Sequence, residues 1–298
     1  MDSVVFGAGS LGSLIGGLLT HAHEVTLIGR RRHVEAVRAS GLEITGLRSE
    51  VVHPDAHTEV EGLSADLAIV TVKSYDTAVA ARALQRASFG AVCSLQNGLG
   101  NEEILAESLD VPIVGGSATY GADRTAPGVV EMTGEGTVTI GRFRGGDDAQ
   151  LTRLVDAFEA AGIVAEATDD IRRTLWRKLA INAAINPVTA LARTRNGALV
   201  DGPLKSVASA AGAEVVAVAN EHDVGLDRDA TLSTVFEVAA ATGTNRSSML
   251  QDVLAEQRTE IDAINGVIVD RARDVAVPVN ATLAELVIGW ERGCGLRD

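Results

Sequence analysis

Lysine is nearly missing from this chain. Of the 26 positive residues in 298, only Lys73, Lys178 and Lys205 are lysines, the rest being arginine. Arginine-rich codon usage and selection for an acidic surface in a saline cytoplasm both account for that bias. Cysteine is as scarce: Cys93 and Cys294 stand far apart, without a CxxC pair, which excludes a disulfide framework and suits a reducing compartment. Aromatic residues make up 3 %, so a core must be assembled from Ala, Val, Leu and Ile. Six prolines against 31 glycines favour tight turns and close backbone approaches over extended linkers. A net charge of −14 disfavours broad contact with nucleic acid or an anionic membrane. The N-terminus carries no basic stretch followed by an apolar one, and no apolar run approaches membrane-spanning length. A cytoplasmic, soluble protein is the expectation.

What is present falls into two rhythms. Up to about residue 168, short apolar runs (Ser3–Phe6, Val25–Ile28, Leu67–Val72, Ala91–Leu95, Ile113–Val114) alternate with helix-length segments. Such runs read as strands of a parallel sheet covered on both faces. Val129–Met132 and Thr137–Ile140, joined through Gly134-Glu135-Gly136, suggest an antiparallel hairpin, followed by a helix over Ala149–Ala161 and a strand at Ile163–Ala167. Beyond that, Ala-rich segments of helical period cover Asp170–Ala192, Leu204–Glu221, Asp229–Ala241 and Ser247–Val275. The expected fold is therefore α/β: a parallel-sheet domain over residues 1–168, then an all-α domain over 169–298.

Gly7-Ala8-Gly9-Ser10-Leu11-Gly12 directly follows the first strand and opens a helix. Glycines at this spacing permit a tight turn, close approach to a pyrophosphate and close helix–strand packing, while the helix N-terminus offers unpaired N–H groups. This points to a dinucleotide. The second strand ends in Gly29-Arg30-Arg31-Arg32, where an enzyme using NAD places a carboxylate for the ribose hydroxyl. Guanidinium groups at that point suit a 2′-phosphate, so Arg30 and Arg31 favour NADP; a solvated basic start to the next helix is the plainer account. Lys73 and Asn97-Gly98 follow two further strands at their carboxyl ends, where ligands of open α/β sheets sit. Asn97-Gly98 also reads as an ordinary turn.

In the helical half, Lys178, Asn182 and Asn186 recur every four residues, so one helix face carries a cation and two amides among apolar neighbours. Either a polar ligand satisfies them or the amides cap neighbouring helices while the lysine reaches to solvent. Ser247 or Ser248 can cap a helix or bind a carboxylate, and Glu260, among apolar residues, is a candidate partner for Lys178. His21-Ala22-His23 and His53-Pro54-Asp55-Ala56-His57 are short-spaced pairs in expected loops, read as surface histidines; no metal site is expected.

Taken in order, these pieces resemble the ketopantoate reductase (2-dehydropantoate 2-reductase) family. The resemblance runs through Gly7–Gly12, Lys73, Leu95-Gln96-Asn97-Gly98-Leu99-Gly100, Trp176–Leu179 with Asn182 and Asn186-Pro187-Val188-Thr189-Ala190, Ser247–Asp252, and Thr259–Asp262 with Ile264-Asn265-Gly266. It implies a Rossmann domain holding NADP(H) and a helical domain holding a small 2-oxo acid, ketopantoate, on the route to coenzyme A. By position, Lys178 would protonate the carbonyl oxygen as hydride reaches C2, and Glu260 would orient that lysine. Asn182, Asn186 and Ser248, with Asn196 as a weaker candidate, would hold the substrate. Asn97 would touch both substrate and cofactor, Lys73 the cofactor, and Ala122 would lie in a loop beside it. Val130-Glu131-Met132 departs from the family, which commonly places a histidine there. A monomer or homodimer acting on a small molecule, with neither nucleic acid nor membrane as partner, completes the expectation.

Overall fold

The computed structural model describes residues 1–297. They form two compact units: residues 1–96 with 101–171, and residues 97–100 with the chain from Arg172 onward.

The first unit contains twelve strands: β1 (Asp2–Phe6), β2 (Glu24–Ile28), β3 (Leu42–Gly46), β4 (Glu50–Val52), β5 (Asp55–His57), β6 (Ser64–Val70), β7 (Ser88–Ser94), β8 (Ile113–Ala118), β9 (Gly121–Ala126), β10 (Val129–Gly134), β11 (Val138–Arg144) and β12 (Ala165–Ala167). Its helices are α1 (Ser10–Leu19), α2 (Arg31–Ser40), α3 (Thr77–Leu84), α4 (Asn101–Ser108) and α5 (Asp148–Ala160). The main sheet runs β12-β11-β8-β7-β6-β1-β2-β5, parallel from β8 to β5, with β11 antiparallel to β8. Leu67–Val70 are wholly buried, as a strand covered on both faces requires. A second sheet, β4-β3-β10-β9, was not expected. Helix α1 touches both sheets. A side chain on Gly16 would strike Leu27 and Val5 of one, and a side chain on Gly17 would meet Leu42 and Ile44 of the other.

The expected hairpin between Val129–Met132 and Thr137–Ile140 does not form. Strand β10 pairs with β9 and β3, while β11 pairs with β8 and β12. The chain reverses instead at Pro127-Gly128, where Gly128 takes φ +76° and Val129 returns opposite Ala126. A proline followed by a glycine with positive φ is a strong turn signal in its own right. Gly134-Glu135-Gly136 is where the two-stranded ribbon bends out of the small sheet into the large one. Gly136 there lies against the backbone of Thr119 and Tyr120, leaving no room for a side chain.

The second unit is helical: α6 (Ile171–Ala192), α7 (Pro203–Glu221), α8 (Arg228–Ala241), α9 (Ser248–Leu254), α10 (Val267–Arg271) and α11 (Pro278–Gly293). Ala184, Ile185 and Val188 of α6, Ala208 and Ala211 of α7, Val235 and Ala239 of α8 and Leu283 of α11 share an aliphatic core. The stretch Ser247–Val275 is not one helix. It breaks after α9, where Glu256 adopts φ +49°, and resumes with a π-helical turn over Asp262–Gly266 before α10. Helix α11, with Pro278 in its first turn, is additional to the expected helices. No described helix is long and apolar enough to cross a membrane.

Candidate active site

In the first unit the glycine turn is fastened to the end of β2. Gly7 and Ala8 both donate to the Ile28 carbonyl, at 3.0 and 2.8 Å. Gly9 caps α1 without a side-chain hydrogen bond, so the first N–H groups of the helix are left for a ligand. A Cβ on Gly12 would overlap the Gly7 carbonyl and the Thr71 hydroxyl, which is itself hydrogen-bonded to that carbonyl at 2.9 Å. The donor set and its close backbone packing fit a pyrophosphate. Ser10 and Leu11 begin the helix, and Leu11 packs against the core.

Arg30 is the N-terminal cap of α2 and is exposed; Arg31, one residue on, lies 3.9 Å from Glu35 on the same helix. Half-buried Lys73 precedes a single 3-10 turn, Ser74–Asp76. Ala122 is not in a loop: it belongs to β9, opposite Met132, and packs with Leu11 on the core. Strand β9 passes beside the turn, and the Arg124 N–H donates to Ser10 Oγ at 3.0 Å. Arg124 belongs to no motif in the sequence; only this main-chain bond brings it to the site. Below it, buried His33 accepts the Gly128 N–H at Nδ1 (3.0 Å), so its Nε2–H donates to Ser13 Oγ (3.1 Å). Burial and the charge of Arg124 push the imidazole pKa down to about 4.

Three of the four paired histidines have hydrogen-bond partners, and His53 is exposed. His21 meets Glu50, His23 the Ala157 carbonyl, and His57 the Arg38 guanidinium, His57 ending a strand and not a loop. Among the described residues, no His, Cys, Asp and Glu cluster suited to a metal ion occurs.

In the second unit, α6 carries Lys178 and Asn182, both half-buried, and buried Asn186 along one face. Ser247 caps α9, accepting the Leu250 N–H at 3.1 Å, and its hydroxyl also meets Thr189 Oγ1 at 2.7 Å. Capping therefore falls to Ser247, and the neighbouring Ser248, half-buried in the first turn, is not needed for it. Asn196 is more committed: its amide nitrogen donates to Thr242 Oγ1 at 2.9 Å and its N–H to the Asn245 carbonyl at 3.1 Å. Its Oδ1 is buried without a hydrogen bond.

Glu260 is 5 % exposed and receives Asn97 Nδ2 at 3.4 Å. Both groups are held from behind. Thr259 donates through its N–H and its hydroxyl to Glu291 Oε1 on α11, each at 2.7 Å. Glu291 in turn accepts from Arg297, which also grips Asp262. Burial opposes the Asp262 charge, yet the hydrogen bonds from Arg297 hold its carboxyl below the usual range. The Leu99 N–H donates to the Ala263 carbonyl at 3.1 Å, a group of the π-helical turn. Gly98, at φ +86°, lies so close that a Cβ would stand 2.6 Å from that carbonyl oxygen.

Pro187 lies inside α6 and cannot donate to the carbonyl four residues earlier, that of Ala183. Asn265 of the π-helical turn supplies the missing donor, its Nδ2 reaching Ala183 O at 3.2 Å and Asn280 Oδ1 at 2.9 Å. The segment carrying Glu260 is thereby stitched to the helix carrying Lys178 and Asn182. Asn265 stands in the Ile264-Asn265-Gly266 motif without an expected role. The signal was present: an internal proline implies an orphaned carbonyl and hence a donor elsewhere.

Comparison with known proteins agrees along the whole chain. Residues 3–145 match the family described as "Ketopantoate reductase PanE/ApbA", and residues 170–291 match its C-terminal counterpart. The 2-dehydropantoate 2-reductase of Halobacterium salinarum is 44 % identical, the match covering 96 % of this chain and 98 % of that one. The enzyme of that name from Archaeoglobus fulgidus is 41 % identical, over 97 % of each chain. Among solved structures, a PanE/ApbA family ketopantoate reductase from Ralstonia eutropha JMP134 superposes with a TM-score of 0.90 at 34 % identity, covering 99 % of this chain and 100 % of that one. D-mandelate dehydrogenase, solved with NADH and anilino(oxo)acetate, superposes at 0.93 with 25 % identity over the full length of both. The chain belongs to the ketopantoate reductase family.

Proposed function

We propose that this protein reduces the 2-oxo group of 2-dehydropantoate to the alcohol, using NADPH in preference to NADH. The observation that carries the reading is the buried Glu260 carboxylate, fixed through Thr259 and bonded to Asn97, in a chain that matches reductases of this substrate end to end. The nicotinamide, when bound, supplies the hydride to C2. The turn Gly7–Gly12, with the uncapped start of α1, holds the pyrophosphate, and Lys73, Asn97 and Ala122 line the remainder of the cofactor. Arg30 and Arg31 meet the 2′-phosphate.

Lys178 donates a proton to the carbonyl oxygen as negative charge develops there, and takes one back from water afterwards. A cation at hydrogen-bond distance from a developing alkoxide lowers the barrier on both counts. Glu260 holds that ammonium group in place. Asn182, Asn186 and Ser248 receive the carboxylate and hydroxyl groups of the substrate, and Asn196 supports the loop before α9. The protein acts in the cytoplasm as a monomer or homodimer.

Steady-state assays with 2-dehydropantoate and each nicotinamide cofactor test the reading. NADPH is expected to give a kcat/KM at least about tenfold above NADH, as loss of one charged contact implies. Lys178→Ala should lower kcat by roughly 100- to 10,000-fold while NADPH still binds. Turnover at the wild-type rate would remove that lysine from the chemistry. The likeness to D-mandelate dehydrogenase supports a second reading, an aromatic 2-oxo acid as substrate. Higher kcat/KM on phenylglyoxylate than on 2-dehydropantoate would select it.

A further inference from the structure

Arg124 is a cation that the glycine turn acquires from a distant part of the chain. Its N–H is bonded to Ser10 Oγ, which fixes this point of β9 at the first residue of α1. Arg30 arrives from the other side, at the end of β2, where Gly29 backs against Ala8 of the same turn. The two guanidinium groups are close enough that, after burial, the charge of Arg30 is what lowers the pKa of Arg124. Arg31, by contrast, has Glu35 beside it, whereas neither Arg30 nor Arg124 forms an ion pair with a described residue. Nor does the layer beneath supply an anion: His33 is neutral, its ring committed to Gly128 and Ser13.

Holding one cation half-buried beside another costs free energy unless an anion joins them. The anion must be small, carry about two charges and accept several hydrogen bonds, which describes a phosphate monoester. Arg30 stands where a dinucleotide presents its adenosine ribose. We propose that Arg124 and Arg30 together clamp the 2′-phosphate of NADP(H), making Arg124 a specificity-determining residue of this chain. The inference rests on the NADPH reading above and adds to it a residue from the second sheet.

Titration calorimetry with 2′,5′-ADP and with 5′-AMP, which lacks only the 2′-phosphate, gives a readout independent of turnover. Arg124→Gln should weaken 2′,5′-ADP and NADPH roughly 10- to 100-fold, the cost of a lost charged hydrogen bond. Binding of 5′-AMP and NADH should stay within about twofold, since they share every other contact. Arg124→Lys, which keeps the charge and the main-chain bond to Ser10, should recover part of the loss. Equal weakening of all four ligands would overturn the proposal, assigning Arg124 to the pyrophosphate or to the integrity of the turn. So would unchanged binding of 2′,5′-ADP. If instead the wild-type protein binds NADH as well as NADPH, the cofactor reading fails first and this inference with it. A wild-type preference that survives Arg124→Gln sinks this inference alone.

Discussion

The two units hold their candidate site residues by opposite means. The sheet unit offers main chain: amides at the start of α1, a turn pinned to Ile28, and glycines whose missing Cβ atoms let the turn close against Val72, Thr71 and the Gly7 carbonyl. The helical unit offers side chains, each steadied by another: Glu260 through Thr259 and Glu291, Asn97 through Leu99 and Ala263, Ser248 through Ser247 and Thr189. A backbone site tolerates few substitutions but needs few residues. A side-chain site requires a frame of polar contacts several residues deep.

The largest effect expected from breaking that contrast is in the first unit. Gly12→Ala puts a methyl group against the Gly7 carbonyl and Thr71. Overpacking of this kind costs roughly 3 kcal/mol, so cofactor affinity, read by NADPH fluorescence, should fall about 100-fold. Next comes Gly98→Ala, which meets both a positive φ and the Ala263 carbonyl. It should displace Asn97 and lower kcat roughly tenfold or more, with a smaller change in NADPH affinity. If kcat is unaffected, the π-helical carbonyl is not what positions Asn97.

Asn265→Leu should cost about 1–3 kcal/mol in urea unfolding, since it strands the Ala183 carbonyl in the core. Its kcat should fall further than its KM rises, because Glu260 loses its tie to α6. The smallest effect concerns pH. The His33 pKa is depressed in the folded state, so the unfolded chain binds the extra proton first. Stability present above about pH 6.5 is therefore lost as the pH falls toward about 4. His33→Gln should flatten the fall in Tm between those values; an unaltered slope would place the acid sensitivity elsewhere.

This contrast also explains what could be read from the sequence. The parallel strands and the long helices were legible because burial on both faces, or on one helical stripe, leaves a periodic trace. The turn Gly7–Gly12 was legible because its chemistry is written in consecutive residues. The second sheet was not: β3, β4 and β9 are short or polar, and β9, Gly-Ala-Asp-Arg-Thr-Ala, has no apolar alternation. Missing β9 meant missing Arg124 and mistaking Gly134-Glu135-Gly136 for the reversal that Pro127-Gly128 makes. Lys178, Asn182 and Asn186 announced a shared face, but the roles proposed for them come from family resemblance. Asn97 meets Glu260 across 163 positions, and no local pattern encodes such a pairing.

Pro187 and Asn265 together carry one more consequence. The asparagine donates where the proline cannot, so its loss is harmful chiefly in a chain that keeps the proline. Replacing Pro187 with Ala restores a main-chain donor to Ala183, and the amide of Asn265 then has only Asn280 Oδ1 left to serve. Two residues 78 positions apart thus form one epistatic unit: an asparagine loss that harms the parent chain should be partly forgiven in a chain already lacking the proline.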